Sequence, residues 1–120
     1  MNDVVNIKAN KPPIYSGVIA YFPRAIEALA RLSQAGANKH GHQLDRDGVI
    51  NEQYTLRMWD DAAGRHQLAY TRGELVDTEM RSLHRTNEVW CKMAALEKIL
   101  YDGDRLDDLH LQDEKDFYSR

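Results

Sequence analysis

Between Trp59 and Cys91 the chain gathers the side chains best suited to holding a cation or a phosphate. They are Asp61, Arg65, His66, Glu74, Asp77, Glu79, His84, Asn87 and Glu88. Imidazole nitrogens and carboxylate oxygens are ligands for divalent cations, and converging ligands from facing helices are how a helical bundle builds such a site. Apolar residues Leu56, Trp59, Ala62, Ala63, Ala69 and Tyr70 recur at three- and four-residue intervals, which places them on one helix face together with His66. Steps of four, four and three from His66 lead through Tyr70 and Glu74 to Asp77. If the helix runs that far, an imidazole and two carboxylates share one side, although Gly73 weakens its last turn.

A second helical pattern begins after Thr78, with Leu83, Asn87, Trp90, Met93, Ala94 and Leu100 at helical spacing and His84, Asn87, Glu88 and Cys91 along one side. A short turn makes the two helices antiparallel neighbours, so Glu74 and Asp77 should lie near Glu79, His84 and Asn87. Each residue also has an ordinary structural explanation. Glu74 and Asp77 can be solvated acids at a helix end. His66 can be a hydrogen-bonded core histidine, and Asp61 with Arg65 an ion pair one helical turn apart. Spacing by itself leaves these alternatives open.

The elements that must position these groups read as one domain over residues 1–120. An irregular N-terminal segment covers 1–17, a helical core 18–102 and an acidic tail 103–120. Pro12, Pro13 and Gly17 argue against regular structure at the start. Pro23 suits the first turn of a helix running to Lys39, with Ile26, Leu29, Ala30 and Ala37 as its stripe. Glu27 is either a further inward-facing acid or a partner for Arg31. Lys39 complements the C-terminal end of that helix dipole. From His40 to Gln53 the sequence is polar, and Asp47-Gly48 allows a small hairpin. Gly103 suits a helix C-cap. The expected fold is therefore an all-α helical bundle, completed by self-association because 120 residues bury a limited core.

A formal charge of -3 supplies no field to attract a polyanion, which argues against binding duplex nucleic acid through bulk charge. The single cysteine, Cys91, excludes an internal disulfide, and its place in a helical stripe suits a packed thiol. No apolar run reaches the length of a membrane span, so a cytoplasmic protein without membrane contact is expected. No His-Asp dipeptide occurs, which sets aside phosphohydrolases of that type, and no serine sits in a nucleophile-elbow motif.

The order Asp61-Ala62, Arg65-His66, Gly73-Glu74, Asp77, Glu79 and His84 resembles the phage and bacterial family of dATP/dGTP diphosphohydrolase N-terminal domains. Two upstream pieces share the likeness, Lys11-Pro12-Pro13 and Gly36-Ala37-Asn38-Lys39-His40-Gly41, so that it spans about Lys11 to Leu100. The chain departs from the family pattern at several places. His40 stands where the family has tyrosine, and His42-Gln43-Leu44 lacks the usual Asn-Trp. Asn87 stands for a second histidine, and Met80-Arg81 and Leu83 replace the Ser-Gly and Pro of the usual turn.

Such proteins are similar to the all-helical MazG-like pyrophosphohydrolases. The resemblance implies an Mg²⁺- or Mn²⁺-dependent hydrolase that converts a deoxynucleoside triphosphate, dATP or dGTP, to the monophosphate and pyrophosphate. On this reading Glu74 and Asp77 hold the metal, and Glu79 and His84 act as catalytic or orienting groups. Lys11, Lys39, Arg65, His66 and Asn87 contact the nucleotide. A noncatalytic helical module that binds a nucleotide or a protein partner is the alternative. A homo-oligomer is expected in either case.

Overall fold

The computed structural model describes residues 11–103. After a single π-helical turn at Tyr15–Ile19 come helix α1 (Pro23–His40), the one-turn helix α2 (Asp47–Ile50), α3 (Leu56–Thr71) and α4 (His84–Gly103). The described residues form no strand, and the protein is all-α. The expectations for residues 1–10 and for the acidic tail beyond Gly103 fall outside the described residues.

The first helix starts at Pro23, whose fixed φ and missing N–H suit that place. It ends on Gly41, which takes the left-handed conformation at φ 67° and lets the His42 N–H reach back to the Ala37 carbonyl. Glu27 pairs with Arg31 across one turn at 3.7 Å, which decides between its two readings in favour of the exposed ion pair. The hairpin expected at Asp47-Gly48 does not form. The Asp45 carboxylate accepts the Asp47 N–H at 3.1 Å and starts a helical turn there instead.

Thr55 caps α3 by accepting the Met58 N–H on its hydroxyl, satisfying one of the donors that a helix start leaves unpaired. The helix does not continue through Gly73 to Asp77. Gly73 adopts φ 92°, its N–H bonds to the Tyr70 carbonyl, and the Glu74 N–H bonds to the Ala69 carbonyl. That pair of bonds is the Schellman ending, which a glycine at this position accommodates without steric cost.

Residues 74–83 then form a closed clasp rather than the first turns of the next helix. Val76 and Leu83 pair in an antiparallel bridge. The Asp77 N–H bonds to the Ser82 carbonyl at 2.8 Å, the Arg81 N–H to the Asp77 carbonyl at 2.7 Å, and the His84 N–H to the Leu75 carbonyl at 2.9 Å. Arg81 accepts φ 61° to close the turn. Helix α4 therefore begins at His84, several residues later than the apolar spacing implies.

The α3–α4 pair is antiparallel, as expected. Tyr70 meets Arg85, whose guanidinium lies 4.1 Å from the ring centroid, His66 meets His84, and Trp59 meets Trp90 at 5.7 Å between centroids. Helix α1 joins them through Trp90, whose indole N–H donates to the Ser33 hydroxyl at 2.8 Å. Helix α2 joins through Lys98, whose buried ammonium donates to the Ile50 and Asn51 carbonyls. The core between them is built largely from alanines, Ala37, Ala63, Ala94 and Ala95, with Ile50 and Cys91. Helix α4 also bears a second apolar stripe, Val89, Met93, Leu96 and Leu100, which faces outward; Met93 is 55% exposed.

Candidate cation site

The clasp and the two helices it joins bring His66, Asp77 and His84 together, with one ligand-capable atom of each within 4.8 Å of the others. They come from three places: the third turn of α3, the clasp, and the first residue of α4. His66 Nδ1 and His84 Nδ1 are 2.9 Å apart, a hydrogen bond in which one ring donates and the other accepts. The second nitrogen of His84, Nε2, lies 3.9 Å from Glu74 Oε2.

Asp77 is fixed more firmly than any other acid in the region. Its Oδ1 accepts the N–H groups of Glu79 at 2.9 Å and Met80 at 3.4 Å, and its Oδ2 accepts from the Asn87 amide at 3.0 Å. Asn87 is itself buried at 5% exposure and accepts a 2.6 Å bond from the Ser82 hydroxyl. Its side chain thus serves as the support of Asp77, and its polar atoms point to the protein rather than into solvent. Ser82 had no signal in the sequence, since one serine in a polar turn looks like any other.

Burial pulls the His66 imidazole below its ordinary value near 6.5. The charges of His84 and Arg65 push in the same direction, while those of Asp77 and Glu88 oppose them. The neutral ring that results is the form that accepts hydrogen bonds and binds metals. Glu88 lies one helical turn beyond His84, and its Oε1 is buried without a hydrogen-bond partner among the described residues, facing the Arg85 guanidinium at 3.5 Å. That spacing was visible in the sequence; the orphaned oxygen was not. Cys91, a turn further on, is buried, and burial raises its thiol pKa against the opposing charge of Arg65, in keeping with a packed thiol.

The remaining site candidates are more dispersed. Lys39 pairs with the Glu79 carboxylate, tying the end of α1 to the clasp. Glu79 therefore turns toward Lys39, and the cluster around Asp77 forms without it. Arg65 is exposed on α3 beside His66, and no ion pair with Asp61 forms among the described residues. Lys11 is exposed at the start of the described residues, and no contact brings it into the cluster.

Among the described residues, no helix is long and apolar enough to cross a membrane. Comparisons with curated proteins and with solved structures returned no match. A family model described as "dATP/dGTP diphosphohydrolase, N-terminal" matches residues 5–108, which take in all four helices and the clasp. The chain belongs to the dATP/dGTP diphosphohydrolase N-terminal family.

Proposed function

We propose that the chain is a metal-dependent hydrolase that attacks the α-phosphorus of a deoxynucleoside triphosphate with water, breaks the bond to the bridging oxygen of the β-phosphate, and releases a monophosphate and pyrophosphate. The supporting observation is the meeting of His66, Asp77 and His84 at one end of an antiparallel helix pair, with Glu74 beside them. His66, Asp77 and His84 would hold a divalent cation. Asp77 fits that task because three hydrogen bonds already orient its carboxylate, and His66 fits it because burial keeps the ring neutral. A bound cation lowers the pKa of a coordinated water and offsets charge on phosphate oxygens.

The other groups serve the substrate. Lys39 and Arg65 neutralise the triphosphate, and Lys39 must exchange its Glu79 partner for phosphate oxygens to do so. That exchange releases the Glu79 carboxylate, which then accepts a proton from the attacking water. The family's name supports dATP and dGTP as substrates. The outward stripe of α4 supports self-association, since a helix apolar on opposite faces needs cover on both.

A panel of deoxy- and ribonucleoside triphosphates with Mg²⁺ or Mn²⁺, scored for monophosphate and pyrophosphate, tests the reading. Turnover of deoxypurine triphosphates is expected, lost in Asp77→Ala with helical content retained. The Lys39–Glu79 pair favours a second reading, a module that binds nucleotide without turnover. Saturable nucleotide binding with no pyrophosphate released under either cation would establish that instead.

A further inference from the structure

The arrangement of nitrogens and oxygens in the cluster says which kind of cation it suits. We propose that His66, Asp77 and His84 hold a first-row transition dication, of the Mn²⁺, Co²⁺ or Zn²⁺ class, in preference to Mg²⁺, and that Glu74 orients His84 from outside the ligand set. This rests on the reading of the cluster as a cation site and assigns its ligands and its metal class.

The first argument is geometric. Two nitrogen ligands each about 2.1 Å from one ion and at right angles to each other stand about 3 Å apart. His66 Nδ1 and His84 Nδ1 are separated by 2.9 Å, so an ion about 1.5 Å to the side of the line between them reaches both nitrogens, once each ring turns its lone pair toward it and the proton between them moves to the other nitrogen of its own ring.

The second argument concerns which nitrogen carries the proton. A neutral imidazole has one N–H, and a carboxylate facing one nitrogen draws the proton there, leaving the other nitrogen with its lone pair free. The His84 nitrogen that faces the Glu74 carboxylate is Nε2, at 3.9 Å, a gap that closes to a hydrogen bond if the exposed Glu74 side chain moves by about 1 Å, and the one that faces His66 is Nδ1. Glu74 therefore belongs behind the ligand. It is also the more exposed of the two acids, whereas Asp77 is half-buried.

The third argument is a count of lone pairs. An ionised carboxylate offers about four acceptor positions. Asp77 uses three of them, two on Oδ1 for the Glu79 and Met80 N–H groups and one on Oδ2 for Asn87. One position on Oδ2 is left for a ligand bond. One turn along α4 from His84, the buried Glu88 Oε1 faces the Arg85 guanidinium at 3.5 Å and has no hydrogen-bond partner among the described residues, which leaves it an acceptor suited to a water bound on the ion.

Two imidazoles and one carboxylate make a donor set of borderline softness, which binds transition dications well. Mg²⁺ prefers an all-oxygen octahedron and gives up its waters reluctantly.

The test uses the full chain without nucleotide. Co²⁺ is titrated in and the visible d–d absorption recorded, with excess Mg²⁺ added afterwards. The expected result is a band that saturates at one ion per chain, persists in Mg²⁺, and disappears in His66→Ala and in His84→Ala. Glu74→Gln should keep the band while weakening binding about 10- to 100-fold, as loss of a supporting carboxylate does. A wild-type spectrum no different from the hydrated ion, or one that Mg²⁺ removes, would overturn the assignment, and neither outcome depends on a variant folding. Pyrophosphate release is read in parallel. A Co²⁺ band without turnover leaves the ion site and removes the hydrolase, while Mg²⁺-driven turnover in His66→Ala leaves the hydrolase and removes this ion site.

Discussion

Asn87→Ala is the most informative single change, because the buried amide sits between Ser82 and Asp77 and makes one hydrogen bond to each. A bond to a charged acceptor contributes about 1.5–3 kcal/mol and a neutral one about 1 kcal/mol, so the loss of both should cost about 3 kcal/mol. Urea unfolding should show a lowered midpoint with an unchanged slope, since the surface exposed on unfolding stays nearly the same. The interaction with Asp77 can be isolated with Asp77→Ala and the double variant. A coupling of roughly 1.5 kcal/mol or more is expected for a charged hydrogen-bonded pair. Asn87→Ala should also weaken any bound cation, because Asp77 loses the contact that fixes Oδ2. A destabilisation within the roughly 0.5 kcal/mol typical of surface positions, or coupling of that size, would refute the view of Asn87 as the support of Asp77.

Trp90→Ala should cost about 3 kcal/mol, through loss of the Ser33 bond and the packing against Trp59, and a melting temperature that does not move would contradict this. Gly73→Ala should destabilise by about 1 kcal/mol or more, because φ 92° strains any residue with a Cβ; equal denaturant midpoints would count against that ending of α3. The depressed pKa of His66 gives a pH dependence whose sign is fixed. Below about 6.5 the unfolded chain takes up a proton that the folded ring refuses, so this contribution to stability is complete above 6.5 and is lost as pH falls toward the folded value. Urea midpoints of wild type and His66→Asn from pH 7.5 to 5 should converge on acidification, and parallel curves would show that His66 contributes no such dependence.

The helices were legible because their signals are local. Pro23 marks one start, and the apolar intervals through α3 and α4 report the faces that pack. The site was legible as a group of residues but not as an arrangement. His66 and Asp77 do share a site, yet not along the face of one helix, because Gly73 reverses the chain between them. The clasp was hidden because Val76 and Leu83, the two residues that pair across it, fit helical spacing as well as they fit a bridge. Glu79 gave a similar ambiguity. Its type suits chemistry, and only the approach of α1 reveals Lys39 as its neighbour.

The alanines lining the core have a mechanical consequence. Methyl groups such as those of Ala63, Ala94 and Ala95 make a smooth seam, with few protrusions to stop one rod from sliding along the other. A slip by a single turn would displace the rods by about 5.4 Å and pull the facing imidazoles out of reach. The ten-residue latch at their common end and the tryptophans farther along act as two pins against that slippage. Lengthening the latch should thus disable the site while leaving both rods whole.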